Sequence, residues 1–517
     1  MTTARIYARN LFANWGAHVA GLVVMFLVSP FVINSLGKIE YGIWSLLVVV
    51  TGYMGMLDLG VRASTGRYVI LYLGKGDDVR VNETIRTGMG AYTVAGCLIL
   101  VVGVVLGWFF PSLFTSVPAD YYGVLRVLLP AMAVNVWVTA VRVIYSSVLT
   151  AHDRFDIARA MDMVVLAIQT AGTVVVLKLG YGIRGLVPVV IGCNLVGLVG
   201  NRYLARRTHP GLRAWPPSLI RGRLRELFSY GVAAFICGIG QKMINQVDIL
   251  IVGAMIGVAA VTTYSVGGML VYYSAALIGQ IGATFFPPVQ RAAVRGQIDQ
   301  VRTLLYRQVR IALMLGLLMN AGFIAFGGKF IELWMVGPKF GLADAGKATV
   351  VMTILAGSRL LYLLTIGSNG LLAAVGHIKF NAVTAVAEAL ANLGLSVLFV
   401  AAFGWGLAGV AAGSLAARLI SRAFIVPWYA CRKIGLSFGR FLLETAGPAC
   451  LAGAAFGGIC YAIRVGFPSV SWRQFAMQVA LALVCYVPIA WILLVPQADR
   501  RLVMGWLRSR SRPAGEA

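Results

Sequence analysis

The chain has 517 residues, 59% of them hydrophobic and only 12% charged, with a formal net charge of +26. A water-soluble fold of this size needs about twice that charged share to cover its outside. The apolar residues run in blocks of about twenty or more, the signature of membrane-spanning helices, and not in the ~10-residue alternating segments of a membrane barrel.

Residues 11–33 form the first apolar run, behind Arg5 and Arg9. The run is too long for the core of a signal peptide and no small-residue cleavage pattern follows it, so it is expected to be the first span. Further spans are expected at 41–61, 87–110, 122–149, 157–178 and 183–204. A basic, proline-containing stretch at 205–227 interrupts the series. Six more spans follow at 228–256, 260–286, 308–328, 349–374, 380–402 and 406–429, and a last pair at 441–463 and 474–495. With the N-terminus inside, the inward segments with the span ends beside them hold 31 of the 44 Lys and Arg residues, and the outward loops with theirs hold 8. This asymmetry orients the chain with both termini cytoplasmic and explains the net charge through anionic lipid headgroups. Nucleic acid is not an expected partner.

Three short matches recur at an offset of 220–225 residues. Gly180-Tyr181-Gly182-Ile183-Arg184-Gly185 resembles Gly404-Trp405-Gly406-Leu407-Ala408-Gly409. His152, Arg154, Phe155 and Asp156 resemble His377, Lys379, Phe380 and Asn381; Gly37, Trp44 and Ser45 resemble Gly257, Tyr264 and Ser265. An even number of spans per repeat makes the repeats parallel. The expected fold is therefore an all-α integral membrane protein of about fourteen transmembrane helices in two parallel six-helix lobes plus two extra C-terminal helices. The expected divisions are a first lobe at 1–204, a cytoplasmic basic linker at 205–227, a second lobe at 228–430, and two additional helices with a basic tail at 431–517. Both Gly-x-Gly-x-x-Gly strings lie in tight loops between spans, without the strand and distal acid that nucleotide binding needs. Seven cysteines and four histidines show no metal-ligand spacing, so no cofactor and no metal are expected.

Asn14-Trp15, Leu36-Gly37, Glu40-Tyr41-Gly42-Ile43-Trp44, Gly52-Tyr53 and Leu57-Asp58-Leu59-Gly60 resemble the bacterial polysaccharide-transporter family. These are the O-antigen and exopolysaccharide (Wzx-like) flippases of the multidrug/oligosaccharidyl-lipid/polysaccharide exporter superfamily. The resemblance implies a bacterial inner-membrane flippase that carries polyprenyl-diphosphate-linked oligosaccharides to the outer leaflet by alternating access. It also implies coupling to a proton or sodium gradient, contact with membrane lipids, and association with other polysaccharide-assembly proteins. A drug/cation antiporter of the same superfamily is the nearer alternative and would favour an acidic cavity. A membrane polysaccharide polymerase or ligase would need a large outward loop with an acid/base constellation; the longest, 329–348, has none.

Nine ionisable residues are assigned to span interiors, where each costs about 2.5–3.5 kcal/mol at a helix centre. A diphosphate calls for buried Arg or Lys, because guanidinium matches phosphate oxygens in bidentate fashion. Arg359, Lys242 and Arg418 lie deepest and are the candidate diphosphate ligands, with Arg359 the first because no partner is evident in its own hairpin. Arg126 and Arg142 sit near the ends of a long span and have snorkelling as their bland reading. Glu388 and Asp58 are candidates for ion coupling. Glu388 has pairing with Arg418 as its alternative, and Asp58 has Arg62 four residues on. Asp162 is placed near an interface, and Asp248 is too far along its helix to face Lys242 directly.

Overall fold

The computed structural model describes residues 3–58, 60–495 and 500–501; at 3–14, 58, 62–63, 230, 232–234, 236–237, 241 and 378 it describes the backbone alone. The side chains of Asp58 and Arg62 and most of the basic tail therefore lie outside the described residues. Sixteen α-helices account for nearly all of the described chain: α1 (Thr3–Met54), α2 (Val61–Gly74), α3 (Asp78–Leu113), α4 (Tyr122–Ala151), α5 (Phe155–Lys178), α6 (Gly182–Thr208), α7 (Arg221–Met255) and α8 (Val258–Val294), then α9 (Ile298–Met335), α10 (Leu342–Leu363), α11 (Ile366–Ala374), α12 (Ile378–Ala401), α13 (Gly406–Arg418), α14 (Val426–Lys433), α15 (Phe438–Gly466) and α16 (Trp472–Leu493). Among the described residues, eleven helices are long and apolar enough to cross a membrane, or twelve if the bent pair α10–α11 is one span. The expected fourteen is higher. Part of the difference is α1, which covers both expected first spans as one run broken only at Gly37, where φ is 83° and ψ 176°.

The chain divides into two compact units, one of residues 1–263 with 337–341, the other of 264–336 with 342–517. In the first unit α3 packs on α4, α4 on α6, α1 on α5, and α7 on α1, α2 and α3. Its apolar core gathers Val69, Ile85, Tyr92, Tyr145 and Val148. Two motif residues explain themselves here. A Cβ at Gly42 would overlap the carbonyl oxygen of Val258, so glycine lets the chain at α8's start lie against α1. The Glu40 carboxylate accepts from the Tyr121 hydroxyl at 3.0 Å and from the Ile183 N–H at 3.2 Å, capping the free amides that open α6.

The basic stretch 205–227 lies docked on this unit. Asn82 donates to the Gly211 carbonyl at 2.9 Å, Arg86 to that of Pro216 at 2.9 Å, and the Ser218 N–H to that of Arg86 at 3.1 Å. Arg223 binds Glu83 at 3.2 Å and Glu226 at 2.7 Å, and donates to the Tyr72 hydroxyl at 2.6 Å.

In the second unit α9 packs on α10 and α15, α12 on α13, α10 on α13, and α15 on α16. The C-terminal pair shares this unit's core: Phe456 and Tyr486 stand 4.7 Å apart, and the Tyr486 hydroxyl donates to the Met314 carbonyl on α9. Between α13 and α14 the backbone runs through a π-helix, Leu419–Ile425.

The sequence repeats reappear as backbone conformation. Gly180 and Gly182 have φ of 78° and 54°, and their counterparts Gly404 and Gly406 have 66° and 54°. Gly37 and Gly257 are also left of the ordinary region, at 83° and 135°, as are Asp153 and Gly376, at 56° and 84°. A fifth pair that the side chains do not advertise, Gly76 and Gly296, shares φ of 67° and 69° at the same offset.

Candidate functional site

Two polar constellations are built inside the apolar helices, one in each unit. In the second unit, α12 supplies Glu388, α10 supplies Ser358, Arg359 and Tyr362, and α13 with the π-helix supplies Arg418, Ser421 and Arg422. Arg359, Arg418, Arg422 and Glu388 are 8%, 4%, 3% and 3% exposed. Arg422 Nε donates to Glu388 Oε2 at 2.5 Å, and Ser421 Oγ donates to the same oxygen at 2.8 Å. Arg418 Nε stands 3.9 Å from Glu388 Oε1, and its Nη1 donates to Ser358 Oγ at 2.9 Å. Glu388 Oε1 is buried and accepts no hydrogen bond among the described residues. The Arg359 guanidinium lies 5.7 Å from the Tyr272 ring and 5.9 Å from that of Tyr362, and Tyr362 also faces Arg422 at 5.5 Å. Two guanidinium groups, those of Arg418 and Arg422, thus meet one carboxylate, and that of Arg359 shares the Tyr362 ring with Arg422. Helix-deep guanidinium groups are retained in membranes where they meet a polar path or a counter-ion.

In the first unit Lys242 on α7 reaches α1. Its Nζ donates to the Gly52 carbonyl at 2.5 Å and stands 5.9 Å from the Tyr53 ring. Gly52-Tyr53 is thereby tied to a half-buried cation, a role its pattern alone does not reveal. Lys242 borders a cavity of about 470 Å³ whose wall carries Trp44, Tyr92, Asn135, Trp137, Thr139 and Gln169. Asp248, further along α7, is 1% exposed.

The remaining candidates fall elsewhere. Arg126 is exposed and lies 4.0 Å over the ring of Trp108, an end-of-span aromatic anchor. Arg142 does not snorkel: its Nη2 binds Asp162 at 2.5 Å and its Nη1 donates to Asn194 Oδ1 at 3.2 Å. Asp162 also holds Arg159 at 2.9 Å. The structure brings Arg359, Arg418 and Glu388 together and leaves Lys242 in the other unit. Sequence reasoning missed Arg422, Tyr272, Tyr362, Asn135 and Gln169. For Arg422 a signal existed, since it follows Arg418 by four residues and so shares its helical face.

Residues 82–340 match the family described as polysaccharide biosynthesis protein. The chain is 21% identical over 509 residues to the uncharacterized membrane protein EpsK of Bacillus subtilis (strain 168), covering 96% of this chain and 97% of that one. It is 22% identical over 353 residues to the probable flippase AglR of Haloferax volcanii, covering 68% and 69%. In fold it is similar to the lipid II flippase MurJ in an inward closed conformation, with a TM-score of 0.70 at 14% identity, covering 96% of this chain and 99% of that one. The chain belongs to the polysaccharide biosynthesis protein family.

Proposed function

We propose that this transporter moves polyprenyl-diphosphate-linked oligosaccharide precursors from the cytoplasmic to the outer leaflet of a bacterial inner membrane, by alternating access coupled to a proton or sodium gradient. The observation that carries the reading is the convergence of Arg359, Arg418 and Arg422 with the tyrosines of α8 and α10. The lipid tail of such a substrate stays in lipid, but its diphosphate needs fixed cations along the crossing path, and planar guanidinium groups pair phosphate oxygens two at a time. Lys242, on the wall of the first unit's cavity, offers a further point charge. A drug/cation antiporter is served less well, because among the described residues lining that cavity the single charged side chain is a cation.

Glu388 is the described candidate for ion coupling. One of its oxygens is committed to Arg422 and Ser421, and the other accepts no hydrogen bond among the described residues, which suits a carboxylate that exchanges a small cation. Asp58 remains the second candidate from the sequence. Arg359→Ala is expected to insert and accumulate normally yet lose transport, and Arg359→Lys to recover part of it, since charge returns without the fork. Complementation of a flippase-null strain, normalised to the amount of protein in the membrane, is the measurement. Full activity of a well-expressed Arg359→Ala protein would remove the diphosphate from this cluster.

A further inference from the structure

We infer that the cavity of the first unit is a carbohydrate subsite, in which Asn135 and Gln169 bind sugar hydroxyls and the aromatic wall takes the apolar face of the ring. The inference rests on the flippase reading and goes beyond it by locating the glycan. Its volume, about 470 Å³, lies within the ~300–1,000 Å³ typical of small-molecule sites. Trp44, Trp137 and Tyr92 supply flat apolar surface, Asn135 and Gln169 supply amide groups, and Thr51 and Thr139, whose hydroxyls donate to the carbonyls of Leu47 and Asn135, supply acceptor oxygens. A sugar ring has this same division, with C–H groups on its faces and hydroxyls around its edge. The Gln169 carboxamide offers a donor and an acceptor side by side, which a pair of neighbouring hydroxyls can use together. Polar side chains set among spanning helices are costly unless they are satisfied or used.

A chain of hydrogen bonds fixes the key amide. Asn194 Nδ2 donates to Asn135 Oδ1 at 2.9 Å, so the donor Nδ2 is the group Asn135 has left to present. Asn194 is held by Arg142 at 3.2 Å, Arg142 by Asp162 at 2.5 Å, and Asp162 in turn by Arg159 at 2.9 Å. Arg142 is thereby a positioning residue for the cavity wall, acting through Asn194 and touching no substrate itself.

The test compares two lipid probes, with tetraphenylphosphonium as a competing organic cation, on the full chain in lipid nanodiscs, read by native mass spectrometry. One probe is undecaprenyl diphosphate; the other is the polyprenyl-diphosphate-linked oligosaccharide pool extracted from cells lacking the gene. Wild type is expected to bind the sugar-bearing pool about tenfold more tightly than undecaprenyl diphosphate. Asn135→Ala and Gln169→Ala should each weaken the sugar-bearing lipid about three- to tenfold, the range of one or two lost hydrogen bonds, and leave undecaprenyl diphosphate unchanged. Arg142→Ala should reproduce the selective loss of Asn135→Ala, whereas a merely structural arginine would weaken both probes alike. Equal wild-type affinity for the two probes, or equal weakening of both by the cavity variants, overturns the subsite and leaves the flippase reading standing. Tighter binding of tetraphenylphosphonium than of the sugar-bearing lipid, abolished by Asn135→Ala, also overturns it. Binding of neither lipid probe by wild type overturns the flippase reading and the subsite together.

Discussion

At Glu388 the two carboxylate oxygens live in different surroundings, one crowded by Arg422 and Ser421 and the other facing Arg418 at 3.9 Å. Removing one partner of a buried pair leaves the other charge without compensation, at a cost of about 3–5 kcal/mol. Arg422→Ala should therefore lower the melting temperature of the detergent-solubilised protein sharply, and the double variant Arg422→Met with Glu388→Gln should recover most of the loss. An unaltered melting temperature in Arg422→Ala would mean that this pair does not hold α12 to the π-helix. Depth along the apolar runs was enough to single out Arg359, Arg418 and Glu388 in the sequence. Arg422 escaped because, near the cytoplasmic end of the expected 406–429 span, it reads as an interfacial residue, whereas the π-helical residues keep it buried. The partners of Arg142 escape the sequence for a related reason: nearness to a span end says how far a side chain can reach, and not that Asn194 and Asp162 wait for it on neighbouring helices.

Among the elements, the paired glycine turns separate conformation from crowding. Gly182 and Gly406 share φ of 54°, but a Cβ at Gly182 would meet the Glu40 carboxylate at 2.5 Å, and one at Gly406 would meet nothing within 4 Å. Gly406→Ala should cost only the left-handed strain of about 1–2 kcal/mol. Gly182→Ala should cost more, because it also displaces the cap on α6; thermal unfolding of the two variants side by side checks the order. The turns were legible as repeated letters, and the helices as apolar runs. The docking of 205–227 was not, because Asn82 and Arg86 grip backbone carbonyls that carry no sequence signal. Next to that segment, burial pushes the His152 imidazole below its ordinary value of 6.5, reinforced by His209, whose ring lies 5.5 Å away, and opposed by Asp78 and Asp153. The folded state then holds this proton less readily than the unfolded chain, so the unfolded chain binds more protons just below pH 6.5 and stability rises with pH through that window. Melting curves across this range should show the slope in wild type and a shallower one in His152→Gln.

For the whole molecule, the lysine and arginine asymmetry predicts that the 205–227 segment faces the cytoplasm. Trp215 is 69% exposed within that segment, so Trp215→Cys in an otherwise cysteine-free protein should react with a membrane-impermeant maleimide only after the cells are opened. Labelling in intact cells would reverse the orientation. The polar cavity has a consequence for how such a protein changes over generations. On the proposed reading, and Lys242 aside, the guanidinium cluster in one compact unit takes the diphosphate that all such lipids share and the cavity in the other takes the glycan that distinguishes them, so the two are read by different stretches of gene. A lineage that alters its surface sugars could then retune its exporter by drift in a few wall positions such as Asn135, Thr139 and Gln169, while the shared anion-reading machinery stays under constant selection.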